Sequence, residues 1–120
     1  MEKILSFVIA IFLLAPPVFS HPPTNLTLTY DPATQILHIE MTHVTGNIRE
    51  HHIRRLVISK NDEPPVSITV VRQTTPNNEV DEIPFSAKPK DTIRVEAFCK
   101  EGGSETATLV IPEPFNPDSY

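Results

Sequence analysis

The chain has 120 residues, with 10 Lys+Arg, 15 Asp+Glu and 5 His, 13 Pro against 3 Gly, one Cys and no Trp. A net charge of -5, with no basic run longer than Arg54-Arg55, argues against nucleic acid as a partner, because a phosphate backbone needs a cationic face. The length allows one modest core, and a lone cysteine forms no internal disulfide.

Met1-Glu2-Lys3 precedes a run at 4–15 that is apolar but for Ser6, and Pro16-Pro17 breaks it. A spanning helix needs about 20 apolar residues, so the segment 1–20 reads as a signal peptide, with Val18 and Ser20 as the small residues before the cut. The expected product is periplasmic or secreted and begins at His21, with membrane contact only through an uncleaved signal segment.

No later stretch keeps helical spacing, and proline interrupts the chain every ten or fifteen residues, which favours short strands. Leu26, Leu28 and Tyr30 alternate with threonines before a turn at Asp31-Pro32. Leu37, Ile39 and Met41 alternate with His38, Glu40 and Thr42 ahead of a loop containing Gly46-Asn47. A third strand is expected over 53–59, and Val66, Ile68 and Val70 form a fourth. The segment 80–85 contains Pro84 and is expected only as an edge strand. Ile93, Val95, Ala97 and Cys99 give the sixth, and 105–111 the last after Gly102-Gly103. Seven such strands predict an all-β, antiparallel, immunoglobulin-like sandwich over 21–111, with a disordered tail at 112–120.

The side chains able to carry chemistry are His21 at the new terminus, His43 after the second strand, His51-His52 before the third, and Cys99 closing the sixth; His38 lies mid-strand. Imidazole and thiolate suit iron, copper or zinc, and strand ends let separate strands converge on one ion. The same residues also fit a plainer reading. A histidine on a half-exposed strand is usually solvated, and Cys99 shares the parity of its buried neighbours. The inward series 37, 39, 41 continues to His43 and the series 93, 95, 97 to Cys99, so these two are expected side by side.

The stretch His43-Val44-Thr45-Gly46-Asn47-Ile48-Arg49-Glu50-His51-His52-Ile53, followed by Val95-Glu96-Ala97-Phe98-Cys99-Lys100-Glu101-Gly102, resembles the iron-binding domain of the superoxide reductases, the desulfoferrodoxin and neelaredoxin group. The resemblance implies a seven-stranded immunoglobulin-like sandwich and a mononuclear non-haem iron, with His21, His43 and His51 as equatorial ligands and Cys99 as the axial thiolate. It also implies reduction of superoxide by ferrous iron and a small electron-donor protein that returns the electron. Four departures stand out. Gly102 occupies the position of the fourth equatorial histidine, and the loop between His43 and His51 is two residues longer than in the family. Arg55 replaces a tryptophan, and Phe19-Ser20 replaces the Glu-Lys pair before the early histidine. The expectation is therefore an exported metal-binding relative, iron first and zinc or copper as alternatives, with weak or lost reductase activity. Two other readings stand beside it: a non-catalytic sandwich module with incidental histidines, and copper held by the amine and ring of His21.

Overall fold

Alternation of apolar and polar residues, with turns at the polar breaks, organises the chain into seven strands in a computed structural model that describes residues 22–114. They are β1 (Thr24–Asp31), β2 (Ile36–Thr42), β3 (Ile53–Lys60), β4 (Val66–Thr69), β5 (Asn78–Pro84), β6 (Thr92–Cys99) and β7 (Ser104–Val110). The expected signal peptide at 1–20, His21, and the tail beyond residue 114 lie outside the described residues. All pairings are antiparallel. One sheet has the order β1-β2-β5 and the other β4-β3-β6-β7.

The two sheets bury their facing side chains against each other. Leu37, Ile39 and Met41 of β2 meet Leu56 and Ile58 of β3 and Ile93, Val95 and Ala97 of β6 in one core, closed by Leu28 and Ile111. Burying each large aliphatic chain contributes about 1.5–3 kcal/mol, so the three central strands carry most of the stability. β5 is an edge strand, ending on Pro84 opposite Ile36, as expected of a proline that cannot donate to a ladder. β4 departs from its sequence pattern. It ends at Thr69, and Val66 is 53% exposed, because the strand lies at the edge of its sheet and faces little of the opposing layer.

Two local features shape the site end. In β3, Ile53 lies opposite Cys99 and Arg55 opposite Phe98, so Arg54 is an extra residue, a β-bulge. Ile53 and Leu56 therefore both point inward although three positions separate them, and Arg54 and Arg55 lie outside between them. Beyond β6, Gly102 (φ 111°) and Gly103 (φ 86°) turn the chain back into β7 through backbone that side chains with a Cβ rarely adopt.

At the other end, Tyr30 ties β1 to the segment after β5. Its hydroxyl donates to the Phe85 carbonyl at 2.7 Å and accepts the Ala87 N–H at 3.1 Å. Tyr30→Phe leaves both groups without that partner and is expected to cost about 1–2 kcal/mol, read as a lower urea midpoint with an unchanged slope.

Candidate metal centre

The loop from His43 to His51 is held by short-range polar contacts. Asn47 organises it: its Oδ1 accepts the N–H groups of Arg49 and Glu50, each at 3.1 Å, and its carbonyl accepts His51 N–H at 2.8 Å, so the loop closes in a helix-like turn that returns to β3. Thr45 Oγ1 accepts the Asn47 N–H at 3.1 Å. The loop is fastened to the segment before β5 by three main-chain bonds: His43 N–H to Asn77 O, Thr45 N–H to Pro76 O, and Gln73 N–H to Ile48 O. Lys100 N–H to His52 O holds the end of β6 against the start of β3.

This framework brings His43, His51 and Cys99 together. Their ligand-type atoms all lie within 4.8 Å of one another. The rings of His43 and His51 meet edge to face with centroids 5.0 Å apart. His43 and Cys99 are each 3% exposed, and His51 is half-buried. Donors placed tetrahedrally about 2.0–2.3 Å from one ion lie about 3.3–3.8 Å apart, so a cluster whose ligand-type atoms are within 4.8 Å of one another is in reach of a single ion once its side chains draw in. Two imidazoles and a thiol form a donor set that fits iron, zinc or copper.

Gln73 determines how His43 presents itself. Its side-chain NH₂ donates to His43 O at 2.6 Å and Thr75 O at 2.8 Å, which uses both hydrogens. The Oε1 can then only accept, and it lies 2.6 Å from His43 Nδ1, so that nitrogen carries the proton. With the proton on Nδ1, the ring lone pair of His43 is on Nε2. An outer hydrogen bond that fixes the tautomer is a common accompaniment of a ligating histidine.

The Cys99 thiol is pushed up from its ordinary range chiefly by burial; the N–H groups of Glu101 and Gly102 oppose the rise and the Glu101 charge adds to it. A metal taking this sulfur displaces a proton, and the two backbone donors remain to hold the thiolate.

The other two histidines among the described residues stand apart. His52 is buried, but its Nε2 donates to Val70 O at 3.0 Å, turned away from the cluster. His38 lies on the outer face of β2 between Glu40 at 3.7 Å and Glu82 at 3.5 Å. Neither belongs to the three-residue group. Arg55 stacks its guanidinium 4.5 Å over the Phe98 ring.

A further buried polar group, Glu79, carries no mark of burial in the sequence pattern. Glu79 is 1% exposed, accepts the N–H and hydroxyl of Thr74 at 2.9 and 3.0 Å, and shares a hydrogen bond with Asp81. Burial, then that hydrogen bond, then the Asp81 charge push its pKa up to about 8 against an ordinary 4.5. A carboxyl whose folded pKa is raised holds its proton more tightly when folded. Stability is therefore highest near and below pH 4.5 as far as this group is concerned, and falls as pH rises toward 8. Glu79→Gln mimics the protonated form and is expected to flatten that decline, gaining on the order of 1–2 kcal/mol at pH 8.5 and little at pH 5 in urea unfolding.

No protein-family model and no curated protein matches the chain. What stands is a small all-β domain with a His-His-Cys cluster suited to a metal, a combination consistent with a desulfoferrodoxin-like metal-binding domain in general.

Proposed function

We propose that this domain binds one transition-metal ion through His43, His51 and Cys99, iron by preference, and is a divergent relative of the superoxide reductases. The observation that carries the reading is the meeting of two imidazoles, from the two ends of the loop between β2 and β3, with a buried thiol at the end of β6, their ligand-type atoms within 4.8 Å. His21 is the fourth ligand by resemblance and enters from the sequence alone. The strand orders favour an immunoglobulin-like sandwich in which the fourth strand pairs with the third instead of the fifth. The apolar segment before Pro16-Pro17 supports export and a periplasmic or secreted setting.

Iron bound there supplies one-electron chemistry, in which superoxide, one electron and two protons give hydrogen peroxide, and a small electron-donor protein is the partner needed to restore the reduced state. The chain's own part is to supply the thiolate, hold His43 in one tautomer through Gln73, and keep Cys99 shielded from solvent. Reductase activity should be weak. Gly102 offers no fourth imidazole, and its φ of 111° is backbone that a histidine adopts only with strain, so the difference from the family extends beyond one side chain. The net charge of -5 also disfavours an anionic substrate. The test is anaerobic loading with ferrous iron followed by pulse radiolysis. The expected outcome is about one iron per chain and superoxide consumption far below the diffusional ceiling of about 10⁸–10⁹ M⁻¹s⁻¹. Consumption at that ceiling would overturn the claim of weak activity, and failure to retain any metal would overturn the site.

A further inference from the structure

We propose that Arg49, Arg54 and Arg55 form a binding site for the oxyanion end of a phosphate or sulfate monoester, on the outer face of β3. The proposal stands apart from the metal reading, since none of the three arginines belongs to the His-His-Cys group.

The bulge in β3 builds the site. In a regular strand two consecutive arginines would point to opposite faces; with Arg54 inserted, both lie outside between inward Ile53 and Leu56 and line one depression of about 490 Å³. Arg49, from the loop closed by Asn47, lines the same depression, and so does Lys100. Phe98 supports the Arg55 guanidinium from below at 4.5 Å, which fixes its plane. Thr69, paired with Arg55 across the β3–β4 ladder, lines it too and adds a neutral donor.

Charge makes this arrangement unusual for the chain. The protein carries 15 acidic residues against 10 basic ones, yet among the described residues no Asp or Glu lines the depression. Among the described residues, Lys100 pairs with Glu50 at 3.6 Å, whereas Arg49, Arg54 and Arg55 have no carboxylate partner. Buried Arg55 Nε has no hydrogen-bond acceptor. Three guanidinium groups held together without counter-charge repel one another, and an anion between them reverses the sign of that interaction.

The chemistry of the groups selects the ligand. Guanidinium forks arriving from a loop and from a strand need an acceptor with oxygens facing several directions; a tetrahedral oxyanion provides this and a planar carboxylate does not. The depression is of the size that takes a small organic molecule, larger than a bare ion requires. Its remaining wall includes Val70 and Val71, the latter 80% exposed, a surface suited to the organic part of an ester.

The experiment is a titration of the full exported chain, followed by ¹H–¹⁵N NMR, with inorganic phosphate, inorganic sulfate and phenyl phosphate in separate arms at 150 mM sodium chloride. The expected result is shifts confined to Arg49, Arg54, Arg55, Thr69 and Val71, with phenyl phosphate binding about tenfold more tightly than either free ion. Arg54→Gln, Arg55→Gln and, independently of the bulge, Arg49→Gln should each weaken phenyl phosphate about tenfold or more while the rest of the spectrum stays dispersed. Equal binding of ester and free ion overturns the ester assignment. Shifts scattered over the surface, or affinity unchanged in all three variants, overturn the site.

Discussion

Cys99→Ser is expected to lower metal affinity by more than about a hundredfold, beyond the 10- to 100-fold lost when only an outer hydrogen-bond partner of a ligand is removed. The thiolate is the softest donor of the set, and a serine hydroxyl stays protonated near neutral pH and offers a far poorer ligand. The fold should survive. Cys99 ends β6 with its backbone N–H bonded to Gly103 O at 3.0 Å, and serine keeps that bond and nearly the same volume. The check is competition against a chromophoric chelator, run beside a thermal melt of the metal-free protein. Large loss of affinity with a nearly unchanged melt assigns the sulfur to the metal. Equal affinity in the two proteins would place the metal elsewhere.

Gln73→Leu should produce a second large effect of a different kind, because it acts on the fold and the site together. The substitution leaves the carbonyls of His43 and Thr75 and the Nδ1–H of His43 without their partner in a buried place, which is expected to cost about 2–4 kcal/mol. It also releases the His43 tautomer and should weaken metal binding 10- to 100-fold. Gln73→Glu separates the two roles. A carboxylate still accepts from Nδ1 but cannot donate to the two carbonyls, so stability falls while the tautomer persists. Histidine ¹⁵N shifts report the tautomer and urea midpoints the stability. An unchanged His43 tautomer in Gln73→Leu would contradict the role assigned to Gln73.

The pairing of His43 with Cys99 was legible in the sequence because both continue inward-facing series of period two, and a strand carries that parity unbroken to its end. His51 was legible only as one of two adjacent histidines; the turn closed by Asn47 decides between them, sending His52 to Val70 O. Gln73 gave no signal. It lies in an irregular segment, where no periodicity marks burial, and its partner is 30 positions away. Glu79 was hidden for another reason: a glutamate near a strand's start reads as solvent-facing, yet parity with Asp81 and Ile83 turns it inward at the edge of the sheet. The bulge at Arg54 left a trace in the spacing of Ile53 and Leu56, which fits neither a regular strand nor a helix face. β4 shows the opposite failure. Its alternation is clear, but burial also depends on what lies across from a strand, and an edge position provides little.

X-ray absorption of the untagged protein loaded with one equivalent of iron or zinc tests the central claim most directly, since it reads the atoms around the ion. The account predicts one sulfur at about 2.3 Å together with imidazole nitrogens near 2.0–2.2 Å, the sulfur vanishing in Cys99→Ser. A shell of oxygen and nitrogen alone in the unmodified protein would contradict it.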